Sequence, residues 1–145
     1  MVLDRAAMLA NLPRATEVFR RSPGILVAYL FGSALDEARE RIRDVDFAVL
    51  ARAPLGLEDL GGLLLDLEKA LGTDRLDIVD LRTARRELCL EALSRGSLLF
   101  ERDAGAHAAL RERALHDHLA MRHHTQLYFS ALRREFHRSY ARAAR

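Results

Sequence analysis

The residues of this 145-residue chain that could do chemistry are concentrated in one stretch, Gly24 to Leu50. An apolar run, Ile25 to Phe31, stops at Gly32-Ser33; ten residues intervene, and Asp44-Val45-Asp46 then opens a second apolar run, Phe47 to Leu50. A buried strand that ends at Gly-Ser implies a tight turn, because glycine tolerates backbone conformations and close approaches that other residues do not. If Ser33 starts a helix there, its hydroxyl and the free backbone N–H groups point at one spot, which suits an anion such as a triphosphate. In a strand, residues i and i+2 share a face, so Asp44 and Asp46 project together while Val45 enters the core. Two carboxylates held close repel each other unless a cation sits between them, and oxygen ligands favour Mg²⁺ or Mn²⁺.

A third carboxylate is available in the run Arg75 to Leu81, RLDIVDL, which offers Asp77 and Asp80. Three residues apart in a strand, they point to opposite faces, so only one can join Asp44 and Asp46. Spacing alone leaves that choice open. Taken singly, each feature has a plain structural explanation as a turn, a surface residue or an exposed strand position. Together, after apolar strands where a lone aspartate is costly to bury, they indicate a site.

The elements that must position these groups alternate. Residues 3–21 have a helical apolar period interrupted by Pro13, which predicts a short helix, a break and a second helix ending before Ser22-Pro23-Gly24. Strands are expected at Ile25–Phe31, Asp44–Ala51 and Leu76–Leu81, with a short fourth one at Ser97–Phe100. The segment after Ser33, ALDEARERIR, is rich in helix formers and predicts a short exposed helix. Leu57–Leu71 is amphipathic and closed by Gly72; Thr83 is the expected cap of a helix over 84–95, which stops at Gly96. Ala104 to Tyr140 contains no proline and predicts one long helix or a helix pair. The expected architecture is α/β (α+β), a small mixed sheet flanked by helices, with a core over 1–102 and a helical tail of the same domain over 103–145.

Composition bounds the rest. Half the residues are hydrophobic, as in ordinary globular proteins, and no apolar run reaches the roughly 20 residues of a membrane span. The N-terminus does not resemble a signal peptide, so the cytoplasm is the expected compartment. Cys89 is the only cysteine, which excludes an internal disulfide and a cysteine-built zinc site, and it is expected to be a small core residue. Residues 1–100 carry a net charge of −2 and residues 101–145 a net charge of +4, with all six histidines in the second part. A basic, His-rich tail hints at an acidic partner surface or RNA, but a mixed solvated helix face is the preferred reading. His116-x-His118 and His123-His124 lack the i, i+4 spacing that suits a metal.

Gly32-Ser33, ten residues, then Asp44-x-Asp46, with the Asp77 strand downstream, resembles the signature of the minimal nucleotidyltransferases of the DNA polymerase β superfamily. The resemblance covers residues 22–102 and is closest to the MntA-type antitoxins encoded beside HEPN-domain toxins. It selects Asp77 over Asp80. It implies that Gly32 and Ser33 hold the outer phosphates of ATP. Asp44 and Asp46 would bind Mg²⁺ or Mn²⁺, and Asp77 would ligate a second ion or accept the proton of an attacking hydroxyl. The implied reaction moves AMP to a tyrosine of a cognate HEPN toxin RNase; the alternative is an inactive antitoxin that neutralises the toxin by binding alone. Nothing here is long enough to form the separate pocket domain of an antibiotic nucleotidyltransferase. Where the family usually has x-Ala-Arg-Gly after Gly-Ser, and Ser before Asp-x-Asp, this chain has Ala34-Leu35-Asp36-Glu37 and Arg43. Arg111…His116 and Arg113…His118 approach the Arg/His spacing of HEPN RNases but lack the following Tyr, so RNase activity of the chain's own is not expected. Direct nucleic-acid contact is not expected either, and self-association is left open.

Overall fold

The computed structural model describes residues 2–143; along the last helix, side chains are described through residue 122 and at 130, 131, 133 and 134. The elements in order are β1 (Leu3–Asp4), α1 (Arg5–Arg20), β2 (Ile25–Phe31), a 3-10 turn (Gly32–Leu35), β3 (Arg41–Ile42), β4 (Val45–Ala51), α2 (Leu57–Leu71), β5 (Leu76–Asp80), α3 (Arg86–Arg95), β6 (Ser97–Glu101) and α4 (Ala104–Ala143). Four strands form a mixed sheet in the order β5-β4-β2-β6, and β1 pairs with β3 in a small separate ribbon. β2 runs antiparallel to β4 and β6, whereas β4 and β5 are parallel.

Strand alternation splits the core in two. Val45, Phe47 and Val49 of β4 point, with Ile25, Ala28 and Leu30 of β2, into a cluster closed by Met8, Val18 and Phe19 of α1 and Leu63, Leu67 and Leu71 of α2. Ala48 and Leu50 point the other way, with Val27, Tyr29 and Phe31, into a cluster closed by Cys89 and Ala92 of α3 and Leu110 of α4. All seven residues of β2 are buried because both sheet faces are covered there. Arg102 staples one end of the sheet: its Nε donates to the Ile25 carbonyl at 3.0 Å and its Nη2 to the Arg20 carbonyl at 2.7 Å.

Three local expectations are corrected, and the tail takes the first of its two expected forms. α1 runs through Pro13 without a break; its buried residues Met8, Ala15, Val18 and Phe19 lie on both sides of the proline, so packing outweighs the missing hydrogen bond. Residues 34–43 form no α-helix beyond the 3-10 turn; they loop out and return as β3. That segment is mostly charged and has no continuous apolar face to bury, so helix formers alone do not hold a helix. Thr83 is not a cap: α3 begins at Arg86 with Arg85 as its N-cap residue, and Thr83 and Ala84 donate instead to the Asp80 carbonyl, at 3.2 and 2.9 Å. The tail is one helix, and its first turns belong to the core, for His107 and Leu110 are buried.

His107 is held by Tyr29, whose hydroxyl donates to Nε2 at 2.5 Å, and by Glu101, whose carboxylate accepts from Nδ1. A neutral imidazole protonated at Nδ1 satisfies both bonds. Burial pushes the Tyr29 hydroxyl above its ordinary pKa, against the opposing effect of Arg111, so it stays a donor. Among the described residues, no helix is long and apolar enough to cross a membrane.

Candidate active site

Strand register sets the first-order geometry. Phe31 is paired with Asp46 across the antiparallel β2–β4 ladder, and Asp46 with Asp77 across the parallel β4–β5 ladder. Paired residues on neighbouring strands share a face, so the end of β2, Asp46 and Asp77 form one row. Asp44 lies one residue ahead of β4 on the same parity as Asp46, and Val45 between them is fully buried on the opposite face.

Gly32 closes the row. Its φ of +78° is left-handed, and a Cβ placed on it would lie 2.6 Å from Asp46 Oδ2. The turn therefore backs directly onto the Asp46 carboxylate, an approach only glycine permits. Ser33 follows in the 3-10 turn rather than starting a longer helix.

Charge is concentrated here. Burial raises the Asp46 pKa above the ordinary carboxylate value, and Asp77, Asp44 and Glu91 add to the rise in that order. The two aspartates of β5 are placed differently: Asp77 pairs with Asp46, whereas Asp80, paired with Val49 farther along the sheet, uses Oδ1 to accept the Arg82 N–H at 2.9 Å and close the turn after β5. Glu91 was missed in the sequence. It belongs to α3, whose last turn is pressed against the end of β2; a Cβ on Gly96 would lie 3.2 Å from the Leu30 carbonyl oxygen. Nothing in the local pattern of α3 announces which acidic residue faces the aspartates.

Asp36, the acidic residue beside the turn, is tied up locally. Its Oδ1 accepts the Ala38 N–H at 3.0 Å, and its Oδ2 pairs with Arg39 at 3.1 Å. By contrast, Asp44, Asp46, Asp77 and Glu91 have no basic partner among the ion pairs of the described residues. Several carboxylates on one face without a counter-charge fit a hard divalent cation by donor chemistry. Among the described residues they are not drawn together into a three-ligand cage. Mg²⁺ does not require one, since it binds through one or two carboxylates and completes its shell with phosphate and water. Cavities of about 600 Å³ between α1 and α2 and about 570 Å³ beside Pro54 are lined by none of these carboxylates. The side chains of His123 and His124 lie outside the described residues.

The sequence from residue 14 to residue 105 matches the family described as "Polymerase beta, Nucleotidyltransferase". The chain belongs to this family. Gly32, Ser33, Asp44, Asp46 and Asp77 all fall inside the matched segment of the nucleotidyltransferase, while β1 and most of α4 fall outside it. A curated relative, the protein adenylyltransferase MntA of Shewanella oneidensis, is 37% identical over 78 residues, which is 54% of this chain and 55% of that protein. The matched stretch thus spans about half the length of that relative. A chain of the solved complex of tri-AMPylated Shewanella oneidensis HEPN toxin with MNT antitoxin is similar at 25% identity and a TM-score of 0.64, covering 86% of this chain and 98% of that one. A chain of a toxin–antitoxin structure with AMP-PNP is similar at 26% identity and a TM-score of 0.67, covering 84% and 98%.

Proposed function

We propose that this nucleotidyltransferase moves AMP from ATP to a tyrosine hydroxyl of a partner HEPN toxin and thereby silences it. The observation that carries this reading is the row set by strand register: the Gly32 turn against Asp46, and Asp46 opposite Asp77. Support for the nucleotide and the partner comes from the similar chains, one solved with AMP-PNP and one in complex with an AMPylated HEPN toxin. ATP also makes the cytoplasm the natural compartment.

In this reading Asp44, Asp46 and Asp77 hold Mg²⁺ or Mn²⁺, which when bound supplies the positive charge that neutralises the triphosphate. The turn at Gly32 and Ser33 takes the outer phosphates through the serine hydroxyl and backbone N–H groups. The chain fixes the α-phosphorus in line with the incoming tyrosine oxygen, which is positioning rather than covalent work. As the oxygen–phosphorus bond forms, the bond to the β-phosphate oxygen breaks and pyrophosphate leaves. Asp77, exposed at the start of β5, would accept the tyrosine proton if it does not ligate a second ion. Asp36 is paired with Arg39 within the loop, which offsets part of its charge beside the phosphates. Docking of the toxin is assigned to α4 beyond Leu110, where exposed Leu115 and Leu119 share one helical face.

Incubation with α-labelled ATP, Mg²⁺ and the HEPN partner tests the proposal. Label should appear on the partner and disappear in Asp44→Asn and Asp46→Asn. A partner that is neutralised without being labelled would instead identify an antitoxin that acts by binding alone.

A further inference from the structure

Residues 3–5 grip the loop between the Gly32 turn and the aspartates at four points. Leu3 pairs with Ile42 and Asp4 with Arg41. The Arg5 N–H donates to the Glu40 carbonyl at 2.9 Å, and Arg5 Nε donates to the Ala34 carbonyl at 2.8 Å. The first three contacts are made by backbone. The fourth is the one that reaches the turn itself, and it comes from a side chain 29 residues away in sequence.

Each part of this brace has a physical reason. Two residue pairs make a ribbon too short to be stable alone, so the loop from Asp36 to Arg43 needs a rigid element to lean on. α1 supplies it: the helix is anchored in the core by Met8, Val18 and Phe19, and its start is capped by Asp4, whose Oδ1 accepts the N–H groups of Ala6 and Ala7 at 2.9 and 3.3 Å. Arg5 is the first residue of that helix. At the other end, Ala34 is fully buried near the close of the 3-10 turn, whose own reverse bond runs from the Asp36 N–H to the Ser33 carbonyl at 3.1 Å. The Ala34 carbonyl is therefore an orphan acceptor at the end of a turn, and a guanidinium is a strong donor for it. Arg5 has no carboxylate partner among the ion pairs of the described residues, so that bond is not shared with a competing ion pair.

We propose that Arg5 is a positioning residue for the nucleotide: by holding the Ala34 carbonyl it presets the turn that carries Ser33, so that the triphosphate meets an ordered grip. The inference rests on the proposed function of the site. It adds a residue outside the family match, which begins at residue 14. Pre-ordering of this kind acts on binding more than on the chemical step, because the ordering cost falls on the association.

Mg·ATP titration of the full chain, together with transfer kinetics to the HEPN partner, tests it. Arg5→Ala should raise the KM for ATP by about tenfold, the scale of one lost charge-assisted hydrogen bond, and leave kcat within about twofold. Arg5→Lys, which keeps a cation but not the planar fork, should fall between. Arg14→Ala, on the same helix, should behave as wild type. A variant that melts earlier yet keeps the wild-type KM would show Arg5 to be structural only and overturn the inference, as would a fall in kcat at constant KM. Should Arg5→Ala not fold, the KM of Arg5→Lys decides alone: an unchanged value overturns the inference. If the wild-type chain neither binds Mg·ATP nor labels the partner, the proposed function fails and this inference with it; if the wild type is active and the Arg5 variants match it, only the inference fails.

Discussion

Replacing Gly32 by alanine separates what the fold needs from what the site needs. Two penalties are built into that position. The φ of +78° would force an L-residue into the left-handed region, which costs about 1–2 kcal/mol. The new Cβ would also stand 2.6 Å from Asp46 Oδ2, closer than such atoms come in real proteins, so something must move by several tenths of an ångström. The next contacts, Asp46 Cγ and Cβ, are at 3.5 and 3.6 Å, ordinary distances, so the clash falls on the carboxylate oxygen alone. Rotation of that carboxylate relieves it cheaply in stability and expensively in function, since a misplacement of about 1 Å at a reacting centre can cost about a hundredfold.

Gly72 is the matched control. It closes α2 with a φ of +70°, and a Cβ there meets nothing within 4 Å. Gly32→Ala and Gly72→Ala should therefore lose similar stability, about 1–2 kcal/mol or about 2–8 °C of melting temperature for a chain of this size. Only Gly32→Ala should also lose AMP transfer, by about a hundredfold. Thermal melts paired with transfer of α-labelled AMP provide the comparison. Equal activity in the two variants, at equal melting temperature, would refute the argument that Gly32 is there to let the turn back onto Asp46.

Two further outcomes follow from the half-buried Asp46 and the buried Tyr29. Asp46 has a folded pKa above its unfolded value, so the folded state is penalised as pH rises past the ordinary carboxylate range and carries the full penalty above the raised value. Asp46→Asn should therefore raise the melting temperature of the metal-free protein at neutral pH, with the gain fading in acid, while abolishing transfer; a lower melting temperature at pH 7 would contradict the assigned electrostatics. Tyr29→Phe strips His107 Nε2 of its donor in a buried setting and should cost about 1–3 kcal/mol without changing Mg·ATP binding, as denaturant unfolding and a nucleotide titration would report. An unaltered unfolding midpoint would mean that the Tyr29–His107 bond contributes nothing.

What was legible in the sequence is what local pattern controls. β2 could be read at Ile25–Phe31 because an unbroken apolar run ending in glycine admits few alternatives, and α2 at Leu57–Leu71 because its apolar stripe and its closing Gly72 agree. The alternation around Val45 placed Asp44 and Asp46 on one face, and family resemblance picked Asp77, whose pairing with Asp46 accounts for the choice. Misreadings arose where a distant partner decides. The segment after Ser33 contains helix formers, but its fate is fixed by Leu3 and Asp4, which pair with Ile42 and Arg41. Pro13 signals a break locally, yet α1 continues because its buried residues on both sides share one core.

The same division runs through the site. Strands deliver Asp46 and Asp77, with Asp44 just ahead of β4 on the parity of Asp46, and strand parity can be read from a sequence. Helices deliver Arg5 and Glu91, and how a helix is rotated and slid against a sheet leaves no local trace. Glu91 changes the electrostatic argument: its charge, with those of Asp77 and Asp44, acts on Asp46, and none of the four is paired with a basic group among the described residues. A bare triphosphate approaching such a face meets like charge, at about 1 kcal/mol per pair at 4 Å even in water and more where solvent is excluded. On the proposed function, the ligand suited to such a face would be a nucleotide already carrying its divalent ion, and the turn that Arg5 is proposed to hold would be the counterpart that lets the phosphates arrive in one orientation.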